Sequence, residues 1–98
     1  MTGIERISAE RQRQIEKEGW TPEHDDEHRE GELARAAACY ALPPKAYEIE
    51  GLPPAIWPIG WDRKWWKPSP DNRIRELEKA GALIAAEIDR LQRQAVKP

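Results

Sequence analysis

Polar and apolar positions along residues 70–95 fall into a strict order. Ile74, Leu77, Gly81, Ile84, Ile88, Leu91 and Ala95 recur at alternating spacings of three and four. That period predicts a long helix carrying one continuous apolar seam, the pattern by which a helix packs on a partner at a shallow angle. Ser69 is suited to cap this helix, and Pro70 to stand at its first position, where a missing N–H costs nothing. Gly81 with Ala80, Ala82, Ala85 and Ala86 makes a narrow waist that another helix could approach closely.

Two further stretches carry a helical pattern. Thr2 followed by Glu5 has the spacing of a capping box, which starts a helix over about residues 3–18 that Gly19 should stop. Its apolar positions are thin (Ile4, Ile7, Ala9, Ile15), so "ERQRQIEKE" reads as a solvated face. A second helix is expected over about 25–42, with Leu33, Ala37, Tyr40 and Ala41 at helical spacing, ended by Pro43 and Pro44. Its alanine-rich segment "ELARAAACYA" suits close packing against the waist of the long helix, with the two as an antiparallel pair.

Residues 43–69 differ in kind. With residue 70, they hold seven of the nine prolines and four of the five tryptophans. Such a stretch is too rich in proline for one regular element and too aromatic for a disordered linker. An ordered wrap follows, with one short helical turn near residues 58–66. The expected fold is therefore all-α: a single domain, 1–98, of three main helices and a Trp/Pro-rich connecting segment.

Composition narrows the class of activity. Charged residues make up 35% of the chain and the net charge is −2, which does not fit a general nucleic-acid binder. Charge is polarised: positions 23–32 hold six acids, and positions 63–79 hold six lysines and arginines. The single cysteine, Cys39, excludes an internal disulfide and fits a reducing compartment; among its alanine neighbours it reads as a small buried apolar residue. The first residues show no apolar leader, and no apolar run is long enough to span a bilayer, so a cytoplasmic protein without membrane contact is expected.

Candidate chemistry gathers in three places. "EGWTPEHDDEH", residues 18–28, contains both histidines of the chain, with four acids (Glu23, Asp25, Asp26 and Glu27) packed around them. Three readings apply: Asp25 or Asp26 caps a helix while His24 hydrogen-bonds locally; Trp20, His24, Asp25, His28, Glu32 and Arg35 line a polar ligand site; or His24, His28 and Glu32, one turn apart along a helix, chelate a divalent metal. On the long helix Glu87 flanks the seam, placed to meet Glu32 or to pair with an arginine such as Arg35. In "WPIGWDRKWWKP", Trp57, Trp61 and Trp65 recur every four residues with Arg63, Lys64 and Lys67 interleaved. Rings beside cations can stack a base and neutralise a phosphate, which makes Trp65, Trp66 and Lys67 candidate ligand contacts. Trp57 and Trp61 read as core, because the chain has no phenylalanine.

The blocks "ERQRQIEKEGWTPEHDDEH", "GELARAAACYA" and "KAGALIAAEIDRL" resemble a family of small phage- and prophage-encoded proteins. That resemblance covers nearly the whole chain and implies a viral accessory protein in the bacterial host cytoplasm, with no particular reaction. "GELARA" and "ALIAAEID" are also similar to the helical blocks of MazG-like nucleoside triphosphate pyrophosphatases, which would make Glu32, Glu87 and Asp89 magnesium-binding catalytic acids. The paired E-x-x-E of those enzymes is missing, since Arg35 follows Glu32 by three. No catalytic signature is present otherwise, and no cofactor is indicated beyond that divalent metal. The expectation is a protein that binds or sequesters a small phosphorylated, nucleotide-like ligand. The alternatives are an inhibitor docking on a host protein and a magnesium-dependent pyrophosphohydrolase. The row Ile74, Leu77, Gly81, Ile84, Ile88, Leu91 is the candidate surface for self-association.

Overall fold

A computed structural model describes residues 1–43 and 52–96. Residues 44–51 of the expected wrap, and the last two of the chain, lie outside the described residues. The protein is a small all-α domain: α1 spans Gly3–Glu18, α2 Pro22–Asp25, α3 Glu32–Ala41 and α4 Arg73–Val96, with a 3₁₀ turn over Arg63–Trp65. Among the described residues there is no strand, and no helix is long and apolar enough to cross a membrane.

α1 begins as its sequence predicts. Thr2 N–H donates to Glu5 Oε1 at 2.9 Å, and Glu5 N–H donates to Thr2 Oγ1 at 3.2 Å. It ends where Gly19 turns left-handed (φ 73°), a conformation that costs other residues more than glycine.

The single helix expected over 25–42 is instead two. α2 is one short turn started by Pro22 and capped by Thr21, whose hydroxyl accepts from His24 N–H at 3.3 Å. Asp25 and Asp26 therefore do not cap it. After a break, Gly31 (φ 80°) starts α3. The same displacement occurs at α4, where Asn72 Oδ1 accepts from Arg75 N–H at 3.1 Å and the helix opens at Arg73, three residues after the expected Ser69–Pro70 start.

α3 packs most extensively on α4, and the two run antiparallel. Arg73 at the start of α4 donates to the carbonyls of Tyr40, Ala41 and Leu42 at the end of α3, so a cation meets the negative end of that helix. At the other end of α4, Arg93 reaches Pro22 O and Asp26 before α3 begins. α1 lies across α4, joined by Arg75 to Glu10 at 2.5 Å.

The seam of α4 is not the face it buries. Ala80, Leu83 and Ala86 enter the core beside Leu33, Ala36, Ala37 and Cys39 of α3. Small side chains on both helices let their backbones approach, which the larger residues of the seam would prevent. Ile74, Leu77, Ile84, Ile88 and Leu91 remain 46–56% exposed, an apolar row on the surface. Only at Gly81 is the row covered, by Ile7 of α1: a Cβ there would meet Ile7 Cδ1 at 2.5 Å, Cγ1 at 2.6 Å and Cγ2 at 3.2 Å.

That contact yields a test. Alanine ordinarily stabilises a helix interior over glycine by about 1 kcal/mol. Both branches of Ile7 sit on Gly81, so no single rotation clears space, and overpacking costs about 1–3 kcal/mol. Gly81→Ala should therefore destabilise the protein in chemical denaturation, and should stabilise it once Ile7→Ala has opened the contact.

Candidate functional site

The turn after α1 delivers Trp20 and the two histidines to one place. Arg11 of α1 holds this turn, donating to Trp20 O at 3.1 Å and to the fully buried Asp25 at 2.6 Å. Asp26 faces the other way and binds Arg93 at 2.8 Å. Two of the four acids of "EHDDEH" thus serve as staples: Asp25 fastens α2 to α1, and Asp26 fastens it to α4.

His24 and His28 stand edge to face with ring centroids 4.9 Å apart. Both belong to a wider aromatic cluster. Trp20 lies 5.1 Å from His24 and 5.3 Å from Trp61, while His28 lies 5.0 Å from Trp61 and Trp65 lies 5.3 Å from Trp61. Most of these rings meet at steep angles, the arrangement the aromatic quadrupole favours, and such contacts leave gaps that parallel stacking would close.

Tyr40 positions the Trp-rich segment. Its hydroxyl accepts from Lys67 N–H at 3.0 Å and donates to Trp65 O at 3.1 Å, which latches residues 65–67 to α3. Burial pushes this phenol up to about 12, so it stays protonated and keeps its donor. Behind it Trp66 is buried against Tyr40 at 4.8 Å and Trp57 at 5.5 Å.

Between these parts lies a cavity of about 330 Å³. Trp20, His24, Tyr40, Trp57, Trp61 and Trp65 form its aromatic wall. α1 contributes Glu10, Arg13, Gln14 and Glu18, and α4 contributes Lys79 and Leu83; Lys64 and Lys67 come from the aromatic segment. Four cationic side chains and two carboxylates give the lining a formal charge of +2, against −2 for the whole protein.

The carboxylates are already engaged. Burial opposes the charge on Glu10, but Arg13 at 2.7 Å and Arg75 at 2.5 Å outweigh it and hold the carboxyl below its ordinary range. Glu18 is held low in the same way, against its burial, by Arg13 and by Lys67 at 3.3 Å. Lys79 donates to the carbonyl of Lys67 at 2.6 Å, and burial together with the charge of Arg75 lowers its pKa. An anion entering the cavity would relieve that penalty; a cation would deepen it.

Several buried polar atoms lack a partner among the described residues. They are Gln14 Oε1, His24 Nδ1, Asp25 Oδ1, His28 Nε2 and Trp57 Nε1. His24 Nδ1 and Asp25 Oδ1 lie 3.7 Å apart and face each other. Gln14 Oε1 and Trp57 Nε1 belong to residues of the cavity wall and have no such counterpart.

Of the residues singled out from the sequence, Trp20, His24, Trp65 and Lys67 line the cavity, while His28 packs on its tryptophans. Trp66 belongs to the core, Asp25 is sealed against Arg11, and Arg35 is exposed on α3. His28 Nδ1 lies 3.9 Å from Glu32, yet among the described residues no three His, Cys, Asp or Glu side chains converge as a metal site needs. Glu87 gives both oxygens to Arg90, at 2.6 and 3.3 Å, the arginine pairing expected of it, though with a partner other than Arg35. Glu32 and Glu87, with the exposed Asp89, are not part of the cavity wall. Glu10, Gln14 and Lys79 escaped the sequence reading: the first two sit in a helix of solvated appearance, Lys79 stands off the apolar seam of α4, and all three join the site only through tertiary packing.

His28 supplies a pH signature of this packing. Burial, then the neighbouring His24, disfavours its imidazolium more than Glu32, Asp25 and Glu27 favour it, so its pKa is lowered. An unfolded histidine takes up its proton near pH ~6.5. Below that value the unfolded chain binds the proton more readily than the folded one, so stability falls as pH drops. The melting temperature should decrease between about pH 7.5 and about pH 5.5, and less so in His28→Asn.

Comparison with models of protein families, with curated proteins and with solved structures finds no match to this chain.

Proposed function

We propose that the protein binds a small phosphorylated, nucleotide-like ligand in this cavity. One observation carries the reading: a net-positive cavity walled by aromatic rings, in a protein that is net negative. Rings such as Trp20, Trp61 and Trp65 offer surfaces for a heteroaromatic group, and Lys64, Lys67 and Lys79 offer charge to a phosphate. The volume is near the lower end of small-molecule sites, about 300–1,000 Å³, which favours one nucleotide unit over a larger ligand. On the resemblance to small phage-encoded proteins, the proposed setting is a bacterial host cell, where holding such a ligand would withdraw it from host use.

Titration of nucleoside phosphates should quench the tryptophan fluorescence and raise the melting temperature. Lys64 is exposed, so Lys64→Glu should keep the fold and weaken binding at least about tenfold, with a shallower salt dependence. If neither signal responds to any member of a panel of mono-, di- and triphosphates and cyclic dinucleotides, the proposal fails.

A second reading, self-association, is favoured by the exposed apolar row of α4. Two copies could cover each other's Ile84, Ile88 and Leu91 by seam packing. Sedimentation should then show a dimer that Ile84→Asp converts to a monomer; a wild-type monomer at high micromolar concentration would refute it.

A further inference from the structure

His24 and Asp25 are joined in a way that distinguishes the two nitrogens of the imidazole. Asp25 is fully enclosed; its Oδ2 accepts from Arg11 at 2.6 Å, and its Oδ1 has no donor. Facing that oxygen at 3.7 Å is His24 Nδ1, itself buried and unpartnered. A shift of roughly 0.5–1 Å brings the two to ordinary hydrogen-bond length. A buried carboxylate oxygen can only accept, so Nδ1 is the nitrogen that carries the ring proton and Nε2 keeps the lone pair. Nε2 has no hydrogen-bond partner among the described residues and is not sealed as Nδ1 is. The His24 side chain is 28% exposed, against 0% for Asp25, and it lines the cavity. Trp20 and His28 pack on the ring, with centroids at 5.1 and 4.9 Å.

Resting on the reading of the cavity as a phosphate-binding site, we infer that His24 is a nucleophile that accepts a phosphoryl group from a small activated donor. Nε2 attacks phosphorus; the N–P bond forms as the bond from phosphorus to the leaving group breaks, and the leaving group departs with that electron pair. The ring proton stays on Nδ1, so the phosphorylated ring is cationic, and the Asp25 carboxylate faces it. Arg13, Lys64, Lys67 and Lys79 in the same lining supply positive charge for the phosphoryl oxygens. Asp25 touches no reacting atom; it is a positioning residue, held in turn by Arg11. His28 does not share the role, because its Nε2 is buried and its side chain is not part of the cavity wall.

Phosphoramidate is the probe, since it carries its phosphoryl group on nitrogen and releases ammonia. Incubated with the full chain, it should phosphorylate His24 at Nε2, read by mass spectrometry and phosphorus NMR. The rate should exceed that of the histidines in the urea-unfolded chain by at least about tenfold. His24→Gln should abolish the addition, His28→Asn should leave it, and saturating adenosine 5′-monophosphate should slow it by filling the cavity. In Asp25→Asn the amide turns an N–H toward His24, which moves the ring proton to Nε2. The rate should then fall to that of the unfolded chain, with the helical circular dichroism retained. Nitrogen NMR of the wild type should show the Nδ1–H tautomer, a measurement that needs no variant to fold. Labelling no faster than in the unfolded chain, labelling that survives His24→Gln, or an Nε2–H tautomer overturns the inference. So does labelling that a bound monophosphate leaves untouched, which would put Nε2 outside the cavity. If the monophosphate binds and His24 is never labelled, the inference falls and the binding reading stands. If His24 is labelled and no nucleoside phosphate binds, the nucleotide reading falls and the phosphoryl-accepting role remains.

Discussion

Glu10 is almost wholly enclosed, and a carboxylate so placed is tolerable only when its charge is met on both oxygens. Arg13 from its own helix and Arg75 from α4 meet one oxygen, and Arg13 and Gln14 meet the other. The arrangement is repeated. Asp25 is closed off by Arg11, and the buried Glu76 is held by Arg73 and by the backbone N–H of Ser69. Of the five largest fully buried side chains, three are these carboxylates, and only Leu33 is a large hydrocarbon. The helices are thus held in register by charge-assisted hydrogen bonds at points that a larger protein would fill with aliphatic side chains. Removing one member would strand its partner and typically cost about 3–5 kcal/mol.

Alanine packing and tryptophan bulk follow from that frame. α3 and α4 approach closely because both present alanine, and a pair so thin encloses little volume. Bulk must come from elsewhere, and the Trp-rich segment supplies it, latched by the Tyr40 hydroxyl. Trp57 and Trp66 complete the core, whereas Trp20, Trp61 and Trp65 are only partly covered. Rigid rings meeting edge to face cannot close every gap between them. The cavity is what that packing leaves, and its polar wall is the inner side of the Glu10 network.

The helical architecture was legible where local signals decide. The capping box at Thr2 and Glu5 and the stop at Gly19 are nearest-neighbour chemistry, and α1 has the predicted ends. So too the aromatic segment showed its departure from helix through its prolines. Reading failed where distant partners decide. Asp25 and Asp26 resemble a helix start, but each answers an arginine far away in sequence, and Thr21 does the capping. The spacing of Ile74 to Leu91 identified a helix correctly and its buried face wrongly, because periodicity reveals a stripe and not what lies against it. Ala80 and Leu83 meet α3 because small residues on both sides permit contact. Of the site, Trp20, His24, Trp65 and Lys67 were visible as chemistry gathered in sequence. Gln14 and Lys79 could be found only once α1 and α4 were laid together.

That the cavity is built from every helical element has a thermodynamic consequence. Its wall draws on α1 for Gln14, the following turn and α2 for Trp20 and His24, α3 for Tyr40, the aromatic segment for Trp61, and α4 for Lys79. None of these residues shares the site until all the elements are docked. A ligand bound here has affinity for the folded state alone, so it stabilises the whole domain by mass action and not one loop of it. The same geometry works in reverse: a substitution that loosens α1 from α4 at Glu10 or Arg75 also disorganises the wall, even though Arg75 does not touch it. Folding and any binding at this cavity would thus draw on one set of contacts.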